Sequence, residues 1–188
     1  MISGRLIQQV LSNVRSHCEA KGYTEGPGIN NFVPHDCVAA FAMAQALIDS
    51  GDFDHYVAVA PEGHIYGYFF EALGVRVLSG SVDYPPTKLE PVDDLSVIKG
   101  SRVLIIEDDV SSGKTLGLVV AHLDQNNPCR LSLYLGHSKS IQKLDNVPNR
   151  IMTIYLSEDC LDLSKREICE HKFASWVDEY LMEGKRDS

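Results

Sequence analysis

The strongest constraint on the fold is a continuous apolar run, Val103–Ile106, which ends in acidic residues and is followed by small hydroxyl residues and a helical pattern. A strand that is apolar on both faces has to be covered on both faces, as in parallel sheets flanked by helices. Similar short apolar runs alternate with helical patterns along the chain. This alternation predicts an α/β fold: a parallel sheet with helices on both faces and right-handed crossovers.

The periodicity also predicts where each element lies. Helices are expected over 2–20, 37–49, 64–73, 114–125 and 164–183. Strands are expected over 55–60, 75–78, 103–107, 130–135 and 150–156. In the first helix, residues at four-residue spacing form a stripe that we expect to be buried: Ile2, Leu6, Val10, Val14 and Cys18. Residues 79–101 have little periodicity and several prolines, which predicts a long loop.

Length and composition favour one ordinary globular domain. The chain has 188 residues, 44% hydrophobic, and a net charge of −9. We expect one domain over 1–188 with its core at about 50–160. The acidic balance disfavours nucleic-acid binding, which needs a cationic surface. The five cysteines form no zinc-ligand spacing and their number is odd, which predicts free thiols in a reducing compartment. The N-terminus has no signal-peptide pattern, so we expect a cytoplasmic protein without membrane contact.

The segment RVLIIEDDVSSGKT, over Arg102–Thr115, carries the most chemical information. Backbone N–H groups and short hydroxyls at a helix N-terminus can surround a phosphate, whose charge the helix dipole favours. The candidate phosphate-binding residues follow one another: Ser111, Ser112, Gly113, Lys114 and Thr115. Glu107 and Asp108 can accept hydrogen bonds from neighbouring hydroxyls such as those of a ribose. One site would then hold a sugar and its phosphate.

Two other motifs share parts of this segment. A P-loop nucleoside triphosphatase needs a glycine five residues before Gly113, where Asp108 stands, so we reject that interpretation. A response-regulator receiver domain begins with a similar strand and acids but needs an aspartate at the end of a later strand. The later predicted strands end at Leu135 and Leu156 without one, which disfavours a receiver domain.

The pattern of four apolar residues, Glu-Asp, three residues and Ser-Gly-Lys-Thr resembles the signature of type I phosphoribosyltransferases. It is most similar to the hypoxanthine-guanine branch, and the strand–helix order agrees over roughly residues 50–160. The resemblance implies a parallel sheet with helices on both faces and a small variable hood. Residues 1–35 and 136–188 are the candidates for the hood.

The resemblance also implies roles for the acid pair and the loop that follows it. Glu107 and Asp108 would hold the ribose hydroxyls of phosphoribosyl pyrophosphate (PRPP), and both are catalytic candidates. The phosphate loop Ser111–Thr115 would bind the 5-phosphate. The cofactor would be Mg²⁺, held mainly through PRPP because this hard cation prefers phosphate oxygens and water.

Two further family elements have candidate positions in the chain. A short pyrophosphate loop would fall at Glu62, Gly63 and His64, after the first core strand. Glu62 is an anion beside an anionic leaving group, and no Lys or Arg lies between Asp52 and Leu73. A mobile closing loop would fall at 79–101, with Tyr84 and Lys88 as contacts and Lys88 as a further catalytic candidate.

One difference from the hypoxanthine-guanine branch bears on the identity of the acceptor base. The hypoxanthine-guanine branch has an aspartate where Ser111 stands, and serine is a poor general base without an activating partner. We therefore expect Ser111 to bind phosphate only, which disfavours a 6-oxopurine acceptor. The resemblance implies a Mg²⁺-dependent transfer of the phosphoribosyl group from PRPP to a small nitrogenous base, and it also suggests a homodimer. A regulatory protein that senses PRPP or a nucleotide without turnover is the alternative.

Overall fold

The computed structural model describes residues 4–23, 34–82, 88–160 and 166–183. Within these residues the chain forms helices and strands in alternation after two initial helices. The helices are α1 (Gly4–Ala20), α2 (Pro34–Asp49), α3 (Gly63–Ala72), α4 (Lys114–Asp124) and α5 (Arg166–Glu183). The strands are β1 (His55–Ala60), β2 (Val77–Val82), β3 (Leu89–Pro91), β4 (Arg102–Glu107), β5 (Arg130–Leu135) and β6 (Ile151–Leu156).

The strands form a six-stranded sheet in the order β3-β2-β1-β4-β5-β6. Every neighbouring pair is parallel except β2 and β3, which are antiparallel. The predicted α/β fold with a mainly parallel sheet is confirmed. The strand order reverses between β1 and β4, and in such sheets ligands bind beyond the carboxyl ends of the strands at this point.

The segment 79–101 differs from the predicted long loop. Strand β2 runs on to Val82, and β3 and a short 3-10 helix, Leu95–Ile98, follow within the segment. Ser79, Gly80 and Ser81 have low strand propensity, but their backbones pair with β1, and such tertiary pairing overrides propensity. Residues 83–87, including Tyr84, lie outside the described residues.

The alternation of side chains along β4 divides the core into two layers. Leu104 and Ile106 pack in one layer with residues of α1, α2, α3 and α5, whereas Val103 and Ile105 pack in the other with residues of α4. All four side chains are fully buried. The central strand is thus covered on both faces, as its continuous apolar run predicts.

Helix α1 packs through a stripe that includes Val10, Val14 and Cys18, as the four-residue spacing predicts. Ile7 is buried instead of Leu6, which is half-buried, and Ile2 lies outside the described residues. Helices α2 and α5 meet through aromatic rings, with Phe41 stacked on Trp176 at a centroid distance of 4.9 Å. Among the described residues, no helix has the length and apolarity needed to cross a membrane.

Candidate active site

A cavity of about 650 Å³ opens at the carboxyl end of β4, where that strand lies between β1 and β5. Its walls come from the turn after β1, the end of β2 and the connection from β4 to α4. The lining residues are Ala60, Pro61, Glu62, Val82 and 107–116. The cavity therefore brings together the acid pair, the whole predicted phosphate loop and one residue of the predicted pyrophosphate loop.

The connection from β4 to α4 is shaped to receive an anion. Gly113 stands at the N-cap of α4 with a left-handed φ of 73°. A Cβ at this position would lie 2.3 Å from the Asn146 carbonyl oxygen, so only glycine fits. The hydroxyl residues Ser111 and Ser112 are exposed beside it. Since the first N–H groups of a helix have no intrahelical acceptor, this end can donate hydrogen bonds to a phosphate.

The acid pair stands at the rim and the floor of the same cavity. Glu107 is only 7% exposed, and its Oε1 accepts a hydrogen bond from the Asp108 N–H at 3.2 Å. Its Oε2 is buried and has no hydrogen-bond partner among the described residues. Burial raises the pKa of Glu107 well above its usual range, and the negative charge of Asp108 adds to this effect. A sugar hydroxyl that donated to Oε2 would satisfy this unpaired buried atom.

The segment after β5 holds the acid-rich connection in place. The Gln142 side chain accepts a hydrogen bond from the Val110 N–H at 2.8 Å. Its amide nitrogen donates to the carbonyl oxygens of Asp108 and His137, each at 3.3 Å. Asn146 Nδ2 donates to the Ser111 carbonyl oxygen at 2.5 Å. These amides satisfy backbone groups that have no partner in a helix or strand, and so fix the shape of the loop.

The turn after β1 is arranged differently. Glu62 is half-buried and lines the cavity, and burial together with the charge of Asp108 raises its pKa. Gly63 packs against β4, because a Cβ there would lie 2.5 Å from the Ile106 carbonyl oxygen.

His64 points away from the cavity. Its imidazole is fully buried and stacks on Tyr23 at a centroid distance of 5.2 Å. Of the predicted pyrophosphate loop, only Glu62 reaches the cavity, because Gly63 and His64 already belong to a helix packed on the sheet.

Lys88 also lies apart from the cavity wall. It forms an ion pair with Glu90, and both side chains are 65% exposed. Lys88 directly precedes the edge strand β3 and pairs with a residue of that strand, so its catalytic role stays a prediction.

The family comparison agrees with this geometry. Residues 73–153 match the family model of the phosphoribosyl transferase domain. The chain is similar to phosphoribosyltransferases over this segment, which is less than half of its length. The resemblance to type I phosphoribosyltransferases is thereby confirmed, and so is the predicted enzyme class, a glycosyltransferase of the phosphoribosyltransferase type. The matched segment contains the acid pair and the phosphate loop, whereas Glu62 precedes it.

Solved structures similar to this phosphoribosyltransferase domain share low identity with it. A purine phosphoribosyltransferase of Pyrococcus horikoshii is 23% identical, over 63% of this chain and 82% of its own, with a TM-score of 0.45. A hypoxanthine-guanine phosphoribosyltransferase of Bacillus anthracis is 16% identical, over 65% and 77%, with a TM-score of 0.47. A hypothetical protein of Neisseria gonorrhoeae with bound ppGpp is 18% identical, over 74% and 91%, with a TM-score of 0.46. The sequence matches no curated protein.

Several residues that line or support the cavity are not among the predicted site residues. Asp109 lines the cavity, and burial followed by the charge of Asp108 raises its pKa. His137 Nε2 lies 3.9 Å from Asp108 Oδ2, and the ring packs edge-on against Tyr66. The position of His137 just after a parallel strand was the only signal. Gln142 and Asn146 gave none, because their partners in the β4–α4 connection are backbone atoms more than 30 residues away.

Proposed function

We propose that this protein binds PRPP with Mg²⁺ and transfers its 5-phosphoribosyl group to a nitrogenous base, with release of pyrophosphate. One observation carries the proposal: the buried acid pair and the open N-terminus of α4 line the same cavity. A carboxylate pair suits the ribose hydroxyls and a helix N-terminus suits the 5-phosphate. In the proposed complex, Ser111–Thr115 hold the phosphate while Glu107 and Asp108 hold the sugar.

The proposed reaction exchanges one bond at the ribose C1. A lone pair of the acceptor nitrogen forms the new bond, the bond from C1 to the pyrophosphate oxygen breaks, and its electrons leave with pyrophosphate. Positive charge develops on the sugar during this exchange. The carboxyl group of Asp108 beside the sugar would stabilise that charge, and the fixed phosphate would keep C1 aligned between the two groups.

The cavity also fits the proposed Mg²⁺. Its wall offers hard carboxylate oxygens from Glu62, Glu107, Asp108 and Asp109, and the unpaired Oε2 of Glu107 is one of them. The described residues contain no group of three or more side chains arranged to ligate a metal. The ion would therefore share its ligands between one or two carboxylates, water and the diphosphate of PRPP, as is common for Mg²⁺. When bound, it neutralises the leaving pyrophosphate.

The experiment is a pyrophosphate-release assay combined with a melting assay. With PRPP and Mg²⁺, one member of a panel of purines, pyrimidines and other amines should release pyrophosphate. PRPP alone should raise the melting temperature, since a ligand that binds only the folded state stabilises it. The proposal is wrong if neither PRPP nor any nucleoside monophosphate shifts the melting temperature.

The alternative is a protein of the same fold that senses PRPP or a nucleotide. Two observations favour it: Ser111 stands where the hypoxanthine-guanine branch has an aspartate, and the carboxyl group of Glu62 lines the cavity at the turn predicted to bind pyrophosphate. A melting shift on PRPP without pyrophosphate release across the panel would support the sensor. We further propose a homodimer in the cytoplasm, with the whole chain as one domain and no binding to nucleic acids or membranes. The described cysteines are all free thiols, which suits a reducing compartment.

A further inference from the structure

The cavity wall carries more acidic than basic side chains, and these acids come from both connections that line it. Its described lining residues include four carboxyl groups, Glu62, Glu107, Asp108 and Asp109, and one ammonium group, Lys114. Lys114 belongs to the phosphate loop at the start of α4, on a different wall from the turn after β1. The turn itself therefore offers a bound diphosphate one carboxyl group, that of Glu62, and no Lys or Arg side chain.

Glu62 is the residue of this turn that reaches the cavity. It occupies the N-cap position of α3 but makes no side-chain capping hydrogen bond. Its carboxyl group therefore does not serve the usual structural purpose of an acid at a helix start. Burial and the charges of Asp108 and Asp109 raise its pKa, and all three carboxyl groups line the same cavity.

Basic side chains of the described chain do not offset these acids. No Lys or Arg lies between Asp52 and Leu73. Lys88 lies outside the cavity wall and pairs with Glu90. His137 faces Asp108 at 3.9 Å on the β5 side of the cavity.

A second observation is independent of the surface acids. Glu107 Oε2, at the floor of the cavity, is buried and has no hydrogen-bond partner among the described residues. A buried polar atom without a partner is costly, so a native site supplies one on ligand binding. A cation or a donating hydroxyl would meet this requirement, whereas a bare phosphate oxygen would not.

We propose that Glu62 is a protein ligand of a divalent cation that links the turn after β1 to the diphosphate of the substrate. The inference rests on the proposed function. It assigns to Glu62, acting through the cation, the binding of the diphosphate that a lysine or a backbone N–H group would otherwise perform. Mg²⁺ commonly binds one or two carboxylates together with phosphate oxygens and water. Pyrophosphate binding should therefore depend on the metal, and Glu62 should determine that dependence.

The test is calorimetric titration with inorganic pyrophosphate, in Mg²⁺ and in EDTA. The wild type should bind pyrophosphate only with Mg²⁺. Glu62→Gln keeps the side-chain size and should lower the affinity for pyrophosphate with Mg²⁺ at least tenfold. Glu62→Lys replaces the cation with an ammonium group and should bind pyrophosphate in EDTA at least tenfold more tightly than the wild type. Glu158→Gln, at an exposed position outside the cavity wall, should behave as the wild type.

A spectroscopic readout makes the metal itself visible. Mn²⁺ with pyrophosphate should give a protein-bound electron paramagnetic resonance spectrum with the wild type and with Glu158→Gln, and lose it with Glu62→Gln. Melting curves of each variant establish that it is folded. The inference is overturned if the wild type binds pyrophosphate equally in EDTA, if it fails to bind it with Mg²⁺, or if Glu62→Gln changes neither readout.

Ribose 5-phosphate separates this inference from the proposed function. This ligand has no diphosphate, so its binding should be unaffected by EDTA and by Glu62→Gln. Binding of ribose 5-phosphate together with a negative result for Glu62 would overturn only the cation site. Failure of ribose 5-phosphate to bind would instead count against the proposed sugar-phosphate site.

Discussion

The two strand-to-helix turns that line the cavity start from similar positions and are built in opposite ways. The turn from β4 to α4 leaves its hydroxyls exposed and its glycine in a left-handed conformation. The turn from β1 to α3 packs its glycine against β4 and buries its histidine. A place at the carboxyl edge of a parallel sheet therefore makes a turn available for binding, but the local packing decides which atoms reach the ligand.

The largest expected effect is on the packed turn. Gly63→Ala places a Cβ 2.5 Å from the Ile106 carbonyl oxygen, so α3 would have to move away from β4. Overpacking of this kind should lower the free energy of unfolding by about 3 to 4 kcal/mol. Urea denaturation measures it, with Gly117→Ala as the control, because nothing lies within 4 Å of a Cβ there. Equal stability of the two variants would contradict the close packing of this turn.

The buried histidine of the same turn should make stability depend on pH. Burial lowers the pKa of His64 from 6.5 to about 4. Because the folded state binds the proton less readily than the unfolded state, the stabilisation is complete above pH 6.5 and is lost as the pH falls toward 4. The loss should reach about 3 kcal/mol. Denaturation curves between pH 7 and pH 4 measure it; His64→Leu should flatten the slope and the exposed-site variant His171→Gln should keep it.

A substitution in the turn from β4 to α4 should weaken ligand binding more than it destabilises the fold. Gly113→Ala forces a left-handed φ on a residue with a Cβ and a contact of 2.3 Å with the Asn146 carbonyl oxygen. Because the exposed loop can shift, we expect a distorted loop that binds PRPP about 30-fold more weakly, equivalent to about 2 kcal/mol. Titration calorimetry with PRPP checks this. Unchanged affinity would argue against phosphate binding at this helix end.

The acid pair offers a more conservative change. Asp108→Asn keeps the side-chain shape but replaces the carboxylate, which would accept hydrogen bonds from the sugar hydroxyls, with a neutral amide. We expect an affinity for PRPP about tenfold lower, equivalent to about 1.4 kcal/mol, with an unchanged melting temperature in the absence of ligand. Asp145→Asn, in the neighbouring exposed segment, serves as the control. A Kd for PRPP equal to that of the wild type would contradict the ribose role.

The smallest expected effect concerns the support behind the open turn. Gln142→Ala removes the side chain that bonds to Val110, Asp108 and His137. Because these groups are only partly buried, water can replace some of the lost hydrogen bonds. We therefore expect the free energy of unfolding to fall by about 1 kcal/mol. Hydrogen exchange of the Val110 amide should become faster. Exchange at the wild-type rate would show that Gln142 does not hold the loop.

The sequence alone determined the alternation of strands and helices apart from β3, the sheet with helices on both faces, and the contiguous part of the candidate site. These features are local: the apolar run Val103–Ile106 demands cover on both faces, and Glu107–Thr115 are contiguous in the chain. The tertiary structure decided the rest. It made Ser79–Ser81 a strand by pairing them with β1, turned His64 into the core and brought Gln142 and Asn146 to the loop. Such outcomes depend on contacts between distant segments, and a residue pattern contains no record of which distant atoms fill the space beside it.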